Sequence, residues 1–139
     1  MPRSNRKLLL LLCLTLLLPL AGCKQVKEER KNRVLESATS GYRQAIRWGY
    51  HDAALQFVEP KERPEQLTPL LENVRVTGYE VVRSPVIIEE DKAEQIVRIE
   101  YVLRDRQRLE SLTDRQRWLY DKETSNWWLT SGLPKFKTD

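Results

Sequence analysis

The feature that most constrains this chain is a change of period at Val74. Before it, apolar residues recur at helical spacing. Val34, Ala38, Tyr42, Ala45, Ile46 and Gly49 fall at i, i+4, i+8, i+11, i+12 and i+15, one face of a helix beginning near residue 33. After it the period is two. VRVTGYEVVR (74–83), AEQIVRIEYVLR (93–104), QRLESLTDRQRWLYD (107–121) and NWWLTSG (126–132) read as four strands. The links between them, EEDK, the Asp105-Arg106 corner and KETS, are short enough for an antiparallel meander. Helices first and strands afterwards predict an α+β domain, a long helix and short helices packed on a curved four-stranded antiparallel sheet.

Local signals fill in the pattern. Asp52 is expected to cap a short helix through Val58, ended by Pro60. Pro64 is expected to open another over EQLTPLLEN, shortened or bent by Pro69. In the second strand Val97, Ile99, Tyr101 and Leu103 should face inward, with Arg98 and Glu100 outward. The third strand breaks its alternation, because Leu109 differs in parity from Leu112, Trp118 and Tyr120. A β-bulge near residues 110–116 would reconcile them. A turn over 121–126 would set Trp127 opposite Tyr120 and Leu129 opposite Trp118.

Gly49-Tyr50-His51-Asp52-Ala53-Ala54, followed by Phe57-Val58-Glu59-Pro60, is similar to a frequent passage of the NTF2-like (SnoaL-like) α+β cone superfamily. The final Asn126-Trp127-Trp128-Leu129 resembles its closing strand. Tyr50 and His51 depart from the usual residues at that turn, and a cystatin-like helix-on-sheet domain is the nearest alternative. The resemblance implies a long helix lying in a bent sheet, whose concave face in some members lines a pocket.

The start of the chain has its own logic. Arg3, Arg6 and Lys7 precede an apolar run from Leu8 to Leu18, followed by Pro19 and Leu20-Ala21-Gly22-Cys23. A spanning helix needs about 18 to 20 apolar residues, and this run has 11. It reads as a secretory signal, and its end resembles the lipobox of bacterial lipoproteins. That resemblance implies a diacylglyceryl thioether on Cys23, cleavage before it, and a membrane anchor of two or three acyl chains. One chain alone gives only marginal binding. Lys24 after the cysteine implies, by the same resemblance, the periplasmic face of an outer membrane. The expected organisation is a signal over 1–22, a lipidated charged tether over 23–32 and one domain over 33–139.

Charge and cysteine content then exclude whole classes. Three of the 24 basic residues lie in the signal, leaving 21 against 20 acidic ones, so no nucleic-acid footprint is expected. Cys13 would leave with the signal and Cys23 would carry lipid. Disulfides, cysteine nucleophiles and cysteine-based zinc sites are therefore not expected. His51 is the only histidine, so neither a metal site nor a Ser-His-Asp triad can be completed around it. The Glu89-Glu90-Asp91-Glu94 tip lacks the pattern of a calcium loop. Arg104, Arg106 and Arg108 either touch anionic lipid or form a charged sheet edge.

One cluster holds functional promise. Tyr101, Trp118, Tyr120 and Trp127 share a face and either fill the core or line a pocket. Trp118's parity would bring Glu110 and Asp114 to that face unless a bulge intervenes. The reading is a lipid-anchored, non-enzymatic envelope module, without cofactor or metal, binding a small apolar molecule or a protein partner. The alternatives are an isomerase or dehydratase with a carboxylate base in the cone, and a structural subunit of an envelope complex.

Overall fold

The computed structural model describes residues 20–65 and 69–137. Helix α1 spans Leu20–Trp48, α2 His51–Leu55 and α3 Pro69–Asn73, with a 3-10 turn at Pro60–Glu62 between the latter two. Strands β1 (Val74–Glu89), β2 (Lys92–Leu103), β3 (Leu109–Asp121) and β4 (Asn126–Leu129) form one antiparallel sheet in sequence order. The α+β expectation holds. The chain divides into two units, Met1–Arg33 and Val34–Asp139, and the sheet belongs to the second. Among the described residues no helix is long and apolar enough to cross a membrane.

Residues 24–33 are helical rather than an extended tether. In that state ten residues rise about 15 Å, against about 33 to 36 Å when extended. The expected signal lies outside the described residues up to Pro19; Leu20 to Cys23 are helical, and Cys23 is exposed. Within the second unit Leu35, Tyr42, Ala45 and Ile46 are buried, while Val34 and Ala38 are only partly so. The buried face is rotated slightly from the one read off the spacing.

The end of α1 is set by backbone chemistry. Gly49 takes φ +72°, and the Gly49 and Tyr50 N–H groups donate to the Ile46 and Ala45 carbonyls at 3.2 and 2.8 Å. This is the Schellman arrangement, which glycine adopts without strain. Asp52 does not cap α2. The capping position is Tyr50, with no side-chain bond, and the helix ends at Leu55 rather than Val58. Helix α3 is described from Pro69 to Asn73. Pro64 does not open that helix: Pro64 and Glu65 are not helical, and 66–68 lie outside the described residues.

The β2 register follows the alternation: Val97, Ile99, Tyr101 and Leu103 are buried, Arg98 and Glu100 exposed. The β3 bulge is a wrong expectation. The β2–β3 ladder runs without interruption from Val102↔Leu109 to Lys92↔Leu119, and Leu109 is simply an exposed leucine. The irregularities sit in β1, with register shifts at Val76/Gly78, Val81/Arg83, Arg83/Val86 and Ile87/Glu89. These shifts carry β1 past Pro85 to Glu89, six residues beyond the expected end at Arg83. A proline fits because β1 is an edge strand.

The β3–β4 turn is fixed by Asp121. Its carboxylate accepts from the Thr124 hydroxyl at 2.7 Å and the Glu123 N–H at 2.9 Å, which hold its pKa below the usual range. The register is as expected, Tyr120↔Trp127 and Trp118↔Leu129. The other edge of β4 is taken by the segment after α2. Leu129 N–H donates to the Phe57 carbonyl at 2.7 Å, and Glu59 N–H to the Leu129 carbonyl at 2.9 Å.

Candidate functional site

The inner face of the sheet carries both the aromatic side chains and a layer of polar ones. Tyr101, Trp118 and Trp127 are buried, and Tyr120 is half-buried. They do not form one stack. Trp118 meets Tyr42 of α1 edge-on at 5.8 Å, and Tyr42 meets Phe57 at 6.1 Å. Tyr120 and Trp127 lie 5.2 Å apart, as their cross-strand pairing dictates.

Tyr101 is closed off by the chain's own end. Its ring lies 4.9 Å from Phe136, its hydroxyl accepts from the Lys137 N–H at 2.9 Å, and it donates to the Lys137 carbonyl at 3.3 Å. Leu133 and Phe136 pack on the core, and Pro134 is buried. No periodicity or motif in the sequence marks this tail for that role. LPKF carries two large apolar residues after the last strand, and that was the available signal.

Asp114 and Gln116 stand on β3 with the parity of Trp118. The Gln116 amide donates to the Tyr79 hydroxyl at 2.9 Å and to Asp114 Oδ2 at 3.0 Å. Burial pushes the Asp114 carboxyl above its ordinary value, and the Gln116 hydrogen bond partly opposes this. Burial likewise pushes the Tyr79 phenol up to about 12, with the Gln116 bond again opposing it. Tyr42 is raised well above its usual value by burial, then by the charge of Asp114 and by Tyr79. Four buried polar atoms of this layer have no protein partner: Tyr42 Oη, Gln95 Oε1, Gln116 Oε1 and Trp118 Nε1. Two can donate and two accept. Such a set fits ordered water or a small polar group, since leaving each unpaired costs about 1 to 3 kcal/mol.

Glu110 lies away from this layer. It pairs with Arg108 at 2.8 Å and shares a recess of about 220 Å³ with Leu103, Arg106, Arg108 and Lys137. The two carboxylates that parity placed on one face therefore have different surroundings. Asp114 is held by an amide in the interior, and Glu110 by an arginine at the rim.

The remaining candidates resolve individually. The ring of His51 lies 3.1 Å from the Leu71 carbonyl through Nε2, which ties α2 to α3. Glu89 and Glu90 of the acidic tip pair with Lys92 and Lys122 at 2.8 and 3.1 Å. No group of three or more metal-ligating side chains occurs among the described residues. Compared with known proteins, the chain matches no family model, no curated protein and no solved structure.

Proposed function

We propose that the chain is a lipid-anchored envelope protein whose NTF2-like domain acts as a non-enzymatic interaction module. The observation that carries the non-enzymatic reading is the sealing of Tyr101 by Phe136 and Lys137, with Trp118 and Trp127 buried further along the sheet. With the Tyr101 end of the face closed by the chain's own tail, recognition would fall to the surface. Val82, Val86 and Ile88, exposed on edge strand β1, favour an envelope protein as the partner over a small apolar ligand. Anchoring at Cys23 rests on the lipobox resemblance alone.

A second reading is favoured by one specific contact. Asp114, with its raised pKa and its link through Gln116 to Tyr79, is the arrangement a proton-transferring isomerase or dehydratase would use.

Two measurements test these readings. Mass spectrometry of the chain from a lipoprotein-processing bacterium should find diacylglyceryl on an N-terminal Cys23, abolished by Cys23→Ser. An unlipidated mature chain beginning elsewhere sinks the anchor. An apolar fluorescent probe should show no saturable binding to the native chain but bind after Phe136→Ala, which uncovers Tyr101. Saturable binding to the native chain would instead move the enzyme reading ahead.

A further inference from the structure

At the end of the sheet where α1 stops, two adjoining recesses of about 490 and 630 Å³ share Arg75 and Arg104 in their walls. Arg47 and Trp48 line the first. Among the described residues no carboxylate belongs to the lining of either. Neighbouring arginines are partnered: Arg106 lies 3.9 Å from Asp105, and Arg108 is 2.8 Å from Glu110. Arg75 and Arg104 are exposed and have no acidic partner among the described residues.

Arg47 is held in place rather than free to swing. Its Nη1 donates to the Val76 carbonyl at 2.8 Å, and its guanidinium lies 5.4 Å from the Trp48 ring centre. A guanidinium has five N–H donors, so this anchoring leaves donors for a ligand. Trp48 is 66% exposed, an unusual state for so large an apolar ring. Three cations around one recess, one fixed and two unpaired, suit an anion that accepts several hydrogen bonds. Phosphate oxygens match the planar guanidinium fork, and an indole face beside them suits an organic substituent.

We propose that this groove binds an organic phosphate, its anion held by Arg47, Arg75 and Arg104 and its organic part against Trp48. The phosphate can come from a lipid headgroup or from a soluble ester. The site depends neither on the interior of the sheet nor on lipidation of Cys23.

The test uses the full chain in nonionic detergent and reads Trp48 fluorescence, with Trp48→Phe as the signal control. Glycerol 3-phosphate is the soluble arm. Detergent micelles doped with phosphatidylglycerol are the lipid arm, and micelles doped with diacylglycerol lack the phosphate. Saturable Trp48-dependent binding is expected for at least one phosphate carrier and not for diacylglycerol. Tighter binding to phosphatidylglycerol assigns a lipid headgroup, and equal or tighter binding to glycerol 3-phosphate a soluble ester. Arg75→Gln with Arg104→Gln should weaken binding about tenfold or more, the loss of one or two charge-assisted bonds. Both side chains are exposed, so thermal unfolding should be unchanged. Arg75→Lys with Arg104→Lys keeps the charge but loses the fork, and should bind at an intermediate level. Absent saturation with both carriers, an equal signal from diacylglycerol, or native affinity in the glutamine variant would overturn the assignment.

Discussion

Gly41 shows how one side-chain atom can be decided by a contact far along the chain. A Cβ built there would lie 2.6 Å from Phe57 Cζ and 3.1 Å from Cε1. Alanine in a helix interior is worth about 1 kcal/mol over glycine, and overpacking costs about 1 to 3 kcal/mol. The Phe57 ring is itself packed edge-on against Tyr42, so it cannot yield cheaply. Gly41→Ala should therefore destabilise the fold on chemical denaturation. With Phe57→Leu as background the same change should become neutral or stabilising, and equal costs in both backgrounds would refute the clash. Asp114 gives a second test. Its folded pKa lies above the unfolded value of about 3.9, so its contribution is fully present below that value. It is lost as pH rises through the folded pKa. Asp114→Asn should raise stability at neutral pH and flatten the slope from about pH 4 upward. Denaturation midpoints across that range check it, and an unchanged slope counts against it. Strand parity with Trp118 points Asp114 to the aromatic face; its Gln116 and Tyr79 partners are not readable from the sequence, because they depend on strand pairing and side-chain reach.

Among the elements, α1 ends on glycine chemistry that is visible in the sequence, whereas β1 departs from its pattern. Gly49→Ala puts a Cβ into left-handed backbone, a strain of about 1 to 2 kcal/mol. That loss should appear as a lower thermal midpoint, with open space around the position and hence no added clash. Asparagine, which tolerates that conformation better, should recover part of it. A Gly49→Ala midpoint equal to that of the native chain would contradict the capping role. The apparent parity conflict in β3 was a false signal of a bulge. One exposed leucine explains it, since large apolar residues are common on protein surfaces. β1 carries the real irregularities, where Gly78 closely approaches Glu100 and Pro85 removes a donor. Such shifts depend on what the neighbouring strand offers. A single strand's alternation cannot report them.

For the molecule as a whole, the question is how much of the Val34–Asp139 unit rests on its aromatic interior. Trp127 is 2% exposed and belongs to the same buried cluster as Val97, Tyr101 and Leu129. Trp127→Ala should cost about 3 to 5 kcal/mol, a large fraction of the total for a domain of this size. The expected result is loss of cooperative unfolding, whereas a stable protein with a small loss would mean the ring borders a cavity. The sequence by itself determined the α+β class, the order of the elements, the inward face of β2 and the β3–β4 register. Those follow from period and from turn length, which are local. Only the tertiary structure decided that the C-terminal tail would seal Tyr101, that Asp114 and Glu110 would part company, and that Arg47, Arg75 and Arg104 would meet at one end of the sheet. Tyr101 and Lys137 are 36 positions apart, Asp114 and Tyr79 are 35 apart, and Arg47, Arg75 and Arg104 are 28 to 57 apart. Which distant side chains become neighbours is fixed by how the strands pair and the helix packs, a property of the folded chain that no spacing within one segment encodes.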